Sequence, residues 1–110
     1  MGKFTIKVGK NQQFYFNLVG ENGEIVLSSE GYTTRSGCLT GIKSVGKNAI
    51  TEANFQRKIS PSGRYYFVLN AANGQVIGRS QMYASEVGRE NGIFTVMQNS
   101  KSAGIEEYAL

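Results

Sequence analysis

The sequence has no histidine, no tryptophan and no aspartate. Without histidine, Ser–His and Cys–His nucleophile pairs are impossible. A single cysteine, Cys38, rules out an internal disulfide and, with no histidine beside it, the usual zinc ligand sets. The absence of aspartate and of the required spacing excludes an EF-hand loop. No apolar run approaches the roughly 20 residues a membrane helix needs, so no membrane partner is expected. Met1-Gly2-Lys3-Phe4 does not open a signal peptide, and the expected location is the cytoplasm. All eight acids are glutamates, and the only adjacent pair, Glu106-Glu107, lies near the C-terminus. No catalytic, metal or cofactor constellation emerges, and the expectation is a protein that is not an enzyme and carries no cofactor.

What is present is a moderately basic, globular composition. Hydrophobic residues make up 40% and charged residues 18%, with a formal net charge of +4. That balance suits one folded domain over 1–110 and permits weak contact with nucleic acid or an acidic surface without demanding either.

The dominant pattern is a repeat. Phe14-Tyr15-Phe16-Asn17-Leu18-Val19-Gly20-Glu21-Asn22-Gly23 returns, 51 positions later and without a gap, as Tyr65-Tyr66-Phe67-Val68-Leu69-Asn70-Ala71-Ala72-Asn73-Gly74. One unit is written twice, over 4–53 and 55–110. Phe4-Thr5-Ile6-Lys7-Val8 alternates with period two and reads as a strand. Phe14, Phe16 and Leu18 mark a second strand, and Ile25 to Ser29 a third. Asn22-Gly23 between them signals a type I′ hairpin, since both residues tolerate positive φ. The period then changes: Cys38, Leu39, Ile42 and Val45 form a helical stripe behind Thr34, a natural N-cap. The second unit replays this through Phe55–Ile59, Tyr65–Leu69, Asn73-Gly74, Val76-Ile77 and a helix capped by Ser85. Gly104 to Leu110 is expected to be a short terminal strand.

A three-stranded meander with one helix buries its apolar face best when two such units fuse edge to edge. The expected fold is therefore α+β: two tandem β(3)-α(-β) repeats in one continuous antiparallel sheet, both helices on the same face, related by a pseudo-twofold. Phe14, Phe16, Leu18, Tyr65, Phe67, Leu69, Ile42, Val45, Ile93 and Val96 are the expected core. Gly37, Gly41, Gly88 and Gly92 sit inside both helices at a cost of about 1 kcal/mol each, which points to close approach of the helix backbone to the sheet beneath or, as the alternative, to a ligand against the helix.

The doubled pattern resembles the YegP-like family of small bacterial proteins. It reads Phe14-x-Phe16-x-Leu18, Asn22-Gly23, Ser29, Tyr32, Gly41-Ile42-x-x-Val45-x-x-Asn48 in the first unit. The second has Tyr65-x-Phe67-x-Leu69, Asn73-Gly74, Ser80, Tyr83, Gly92-Ile93-x-x-Val96-x-x-Asn99. The resemblance implies terminal strands exchanged between halves, which would pair Gly104–Leu110 with the first unit, and it implies no activity. Copy one departs at Leu27, where copy two has Gly78 and its backbone freedom.

The residues left for function are few. On the sheet face opposite the helices, Tyr15 and Tyr66 with Lys7 and Lys58 resemble surfaces that stack bases while cations hold phosphates. Tyrosine is also simply a good strand former with a wettable tip. Arg89 takes the slot of Cys38 on the inner helix stripe; it is expected to reach the rim and pair with a glutamate such as Glu30 or Glu86, or to hold a small anion. Cys38 reads as a core residue. The leading expectation is a non-enzymatic interaction or structural module, monomeric because duplication replaces dimerisation. Its partner is unknown, another protein or nucleic acid; the alternatives are single-stranded nucleic-acid binding on the open sheet face and small-anion binding near Arg89.

Overall fold

The computed structural model describes residues 2–107. Strands β1 (Lys3–Val8), β2 (Phe14–Val19) and β3 (Ile25–Ser29) are followed by helix α1 (Arg35–Asn48) and a 3₁₀ turn (Glu52–Asn54). Strands β4 (Phe55–Ile59), β5 (Tyr65–Asn70) and β6 (Val76–Arg79), helix α2 (Glu86–Asn99) and strand β7 (Gly104–Glu107) complete the order. All seven strands join one sheet, in the order β4-β5-β6-β3-β2-β1-β7. The halves meet at its centre, where β3 and β6 pair antiparallel through Ser28–Arg79 and Ser29–Gly78.

The expected antiparallel sheet is corrected at one edge. β7 does pair with the first half, but parallel to β1, Lys3 lying opposite Gly104 and Ile6 opposite Glu107. After the four-residue link Ser100–Ala103 the chain enters β7 in the same direction as β1. The last three residues of the expected terminal strand, 108–110, lie outside the described residues.

Both helices are capped as the sequence implies. Thr34 accepts from the Gly37 N–H and Ser85 from the Gly88 N–H, each filling one donor that the first helical turn leaves open. Each helix ends on an asparagine with a second task. Asn48 and Asn99 donate back to the carbonyls of Ser44 and Thr95. Asn99 Oδ1 also accepts the buried N–H of Gly2 at 2.9 Å, and Asn54 Nδ2 donates to the Asn48 carbonyl at 3.0 Å. The motif asparagine thus ties a helix end to the start of a neighbouring strand.

The hairpins differ from the expected type I′. Gly23 alone takes positive φ (85°), its N–H donates to Gly20 O, and Gly20 N–H donates to Glu24 O. This is a type I turn followed by a left-handed glycine, the three-residue hairpin. Asn22 serves by its side chain, accepting the Glu24 N–H at 3.1 Å, as Asn73 does for Gln75 at 3.0 Å.

The core is one cluster under both helices. Phe16, Leu18, Phe67, Leu69, Val45 and Val96 are fully buried, with Ile42 and Ile93 nearly so. Phe14 and Tyr65, expected inside, are half-buried at the rim, because each stands at the strand end nearest the helix N-terminus. Phe4, Ile6, Leu27 and Phe55 join the core instead, with Val26, Ile77, Cys38 and Ala49. Phe4 meets Phe16 edge-on at 5.8 Å, and Phe55 meets Phe67 likewise at 5.7 Å. Gly78 is glycine for room rather than for backbone freedom: a Cβ there would lie 2.8 Å from Ser28 O and 3.0 Å from Leu27 Cγ. Leu27 crosses the junction and fills the space for both halves.

Candidate functional site

Strand register decides the open face. Thr5, Asn17, Ser28, Arg79, Val68 and Gln56 form one row across six strands, by successive cross-strand pairing. Lys7 stands opposite Tyr15 and Lys58 opposite Tyr66. Both pairs are on this face, as the period-two pattern implied. They are not together. Tyr15 and Tyr66 lie three strand spacings apart on antiparallel strands, on opposite sides of the row, which separates them by about 20 Å along the diagonal. Each lysine is exposed and each tyrosine half-buried. Tyr15 is also engaged with its own loop: Asn11 Nδ2 donates to its hydroxyl at 2.9 Å, and its ring lies where a Cβ on Gly9 would be 2.8 Å from Cε2.

Arg89 lies on the other face, beside the backbone of the Lys58–Tyr66 pair, and is 6% exposed. Its guanidinium makes two hydrogen bonds and a longer ion pair. Nε donates to Glu90 Oε2 at 3.2 Å, Nη1 donates to the carbonyl of Lys58 at 3.2 Å, and Nη2 stands 3.7 Å from Glu86 Oε2. Its Cζ lies 5.3 Å from the Tyr65 ring centre, a cation–π contact. The expected glutamate partner is thus Glu86, joined by Glu90; Glu30 pairs with Arg79 instead, at 3.7 Å. Two carboxylates and a carbonyl leave this arginine little capacity for an outside anion.

The helix glycines reveal what the sequence pattern concealed. A Cβ on Gly41 would overlap the Tyr32 hydroxyl and come within 2.6 Å of its Cζ; one on Gly92 would do the same to Tyr83, 2.7 Å from Cζ. The helix backbone closes on a tyrosine from the preceding loop, rather than on the sheet alone. That ring stacks in turn on Phe16 (6.2 Å) or Phe67 (6.5 Å). Burial raises the pKa of both tyrosines above the ordinary value, with Cys38 and Glu30 adding for Tyr32, and Glu24 adding for Tyr83 against the Gln81 side chain. The Tyr83 hydroxyl is buried and has no partner in hydrogen-bond geometry.

Beside each of these tyrosines is a groove shared between the halves. The first, of about 560 Å³, lies between Tyr32, Gly37, Thr40, Gly41 and Ser44 of α1 and its entry loop, and Ala71, Gln75 and Ile77 of the second hairpin. The second, of about 510 Å³, lies between Tyr83, Gly88, Asn91, Gly92 and Thr95, and Gly20, Glu24 and Val26 of the first hairpin. At the shift of 51, every residue named for one groove has its counterpart in the other. The helices lean across the junction, and the glycines keep each floor clear. The linings mix hydroxyls, amides and backbone with one or more carboxylates: Glu30 at the first groove, ion-paired to Arg79, and Glu21 and Glu24 at the second, where Gln81 Nε2 donates to Glu24 at 3.5 Å. Sequence reasoning raised a ligand against these helix glycines but did not foresee the grooves. The repeated Tyr and Gly-x-x-x-Gly were the available signal, but the other wall comes from the opposite repeat.

Among the described residues no group of three or more metal-ligating acids or thiols occurs, and no helix is long and apolar enough to cross a membrane. The carboxylates whose pKa is displaced are held low by arginines: Glu90 by Arg57 first and Arg89 second, and Glu107 by Arg35. Burial pushes the Cys38 thiol up.

A domain family described as a domain of unknown function, DUF1508, matches twice, over residues 10–56 and 60–107. A UPF0339 protein of Pseudomonas aeruginosa is 44% identical, with 96% of each chain covered. The UPF0339 protein YegP of Yersinia pestis is 43% identical over the whole of this chain and 98% of its own. Among solved structures, the solution NMR structure of a UPF0339 protein from Shewanella oneidensis superposes with a TM-score of 0.91 at 43% identity, covering 96% of this chain and 90% of that one. That of yegP from E. coli, titled a protein of unknown function, also gives 0.91, at 40% identity, covering 96% of this chain and 91% of that one.

Proposed function

From the premise that the chain belongs to the DUF1508 family and carries two copies of its domain, we propose that it is a monomeric, cytoplasmic, non-enzymatic binding module. Its two inter-repeat grooves take small polar groups, either of a free molecule or of a partner's side chains. The observation that carries this reading is the groove pair itself: two related depressions of matching size, each built only when both halves are present. Their hydroxyls and amides offer hydrogen bonds without a nucleophile–base pair, and the displaced pKa values belong to ion pairs, to buried rings or to the buried Cys38 thiol. A lining of this kind suits a ligand bearing several donors and acceptors and little apolar surface.

The test is a backbone amide NMR screen against fractions of cell extract, which presumes no ligand class. Shifts confined to Tyr32, Gly41 and Ser44, to Tyr83, Gly92 and Thr95, or to both sets are expected. A fraction that binds elsewhere and leaves both grooves unmoved overturns the proposal.

A second reading, single-stranded nucleic acid on the open face, draws support from the two Lys–Tyr pairs, Lys7–Tyr15 and Lys58–Tyr66, and the net charge of +4. A spacing of about 20 Å is three or more nucleotides of extended strand, with Arg79 between the two pairs. Titration with single-stranded RNA at low salt should then move Tyr15 and Tyr66 together and lose the effect as salt rises. No shift at low salt removes this reading.

A further inference from the structure

The two outer edges of the sheet are built from the same strand of the repeat but end differently. β1 is covered by β7; β4, its counterpart, is the terminal strand of the sheet on the other side. The residues around these edges change accordingly. In the first half, Ile6, Leu39 and Cys38 line the helix-side flank of the edge; Ile6 is 1% exposed and Cys38 fully buried. At the matching positions the second half has Arg57, Glu90 and Arg89. Three apolar side chains have become three charged ones, and they bond to one another. Arg57 Nε donates to both Glu90 oxygens at 2.9 Å, its Nη2 donates to Glu52 at 2.8 Å, and Arg89 joins Glu90 to the Lys58 carbonyl of the edge strand itself. A fourth exchange concerns the helix start. Arg35 holds β7 through Glu107, with Nε donating to Oε2 at 2.7 Å, whereas the second half has Glu86 there.

We infer that Arg57, Arg89, Glu90 and Glu86 act as an edge guard: they stand where a terminal strand would seat and keep β4 from pairing with β7 of a second copy. An edge strand with unpaired N–H and C=O groups is a template for another chain, and inward charges are a known means of blunting it. Here the hazard is specific. β7 is a strand already shaped for this type of edge, and its seating on β4 of the next molecule would be a head-to-tail contact that does not close, so it would propagate. The guard opposes this twice. It fills the flank with a bonded charge network that an incoming strand would have to desolvate, and at the helix start it sets Glu86 where Arg35 holds Glu107 in the first half; Arg57, which the β1–β7 register would put opposite the incoming Glu107, is already bonded to Glu90 and Glu52.

The experiment transplants the first-half residues. The variant Arg57→Ile, Glu86→Arg, Arg89→Cys, Glu90→Leu, kept reduced, is compared with the wild type by light scattering after size exclusion and by amide hydrogen exchange. The variant is expected to at least double its average mass with rising concentration and to gain protection across Phe55–Ile59, while the wild type does neither. A folded variant that stays monomeric overturns the inference and leaves the charges as mere filling; so does a wild type that associates through β4. Should the fourfold variant fail to fold by circular dichroism, the surface pair Arg57→Ile with Glu86→Arg is decided by the same readouts, association supporting the guard and a folded monomer overturning it.

Discussion

At the scale of single residues, the tightest constraint is the contact between each helix glycine and its tyrosine. Gly92→Ala sets a methyl against the Tyr83 ring, and overpacking of this kind costs about 1–3 kcal/mol. Denaturant midpoints should fall accordingly, and Tyr83→Phe should recover part of the loss by removing the overlapping oxygen; a double-mutant cycle with no coupling would contradict the contact. Gln12 is the opposite case. It takes φ of 66° in the first turn of copy one, where copy two has Gly63 at 83°. A left-handed non-glycine residue is strained by about 1–2 kcal/mol, so Gln12→Gly should raise stability by up to about 1 kcal/mol after the added freedom of the unfolded chain is subtracted. Ionisation bounds stability at both ends of the pH scale. Glu90 has a depressed pKa, so its contribution is present above the unfolded carboxylate value and is lost as pH falls through the folded one. Tyr32 and Tyr83 have raised pKa values, so their contribution is full below the ordinary tyrosine value and is lost as pH climbs through the folded ones. Thermal midpoints measured across pH should therefore fall off on both sides, and Arg57→Ala should flatten the acid limb.

At the scale of elements, the hairpins rest on one glycine and one asparagine each. Gly23→Ala and Gly74→Ala should each cost about 1 kcal/mol or more through the positive φ, while Asn22→Ala and Asn73→Ala should each lose about 0.5–1.5 kcal/mol with the side-chain acceptor. Urea melts separate the two effects. The elements themselves were legible in the sequence: the change of period between Ser29 and Thr34 marked the helix, Thr34 and Ser85 marked its start, and the repeat confirmed every boundary once. The hairpin type was not, because Asn-Gly fits both a type I′ turn and a type I turn with a left-handed glycine, and only the register tells them apart. Nor was the direction of β7, since four residues carry no sign of parallel or antiparallel pairing. The candidate site was legible by half. Period two put Tyr15, Tyr66, Lys7 and Lys58 on one face, yet their separation depends on how many strands stand between them. Arg89 was recognisably out of place on an apolar stripe, but its reason, an edge without a covering strand, is a property of the sheet.

At the scale of the whole molecule, the halves are held by more than the central β3–β6 pair. Leu27 fills the junction, the helices lean over it, and Asn99 Oδ1 accepts the N–H of Gly2 across 97 positions of chain. Asn99→Ala leaves that buried donor without a partner and should cost about 1–3 kcal/mol, in a single cooperative transition rather than in the second half alone. Calorimetry distinguishes the two outcomes. The parallel pair of β1 and β7 has a further consequence, for the order in which the molecule is made. β1 leaves a ribosome before every other described element, and β7 is the last of them to emerge. Until then the apolar flank around Ile6 and Cys38 has no strand beside it, although every other partner of the first half is already synthesised. The nascent chain therefore carries an incomplete edge from the synthesis of β1 until that of β7, and its closure is a contact of high sequence separation, slow to form by its loop entropy.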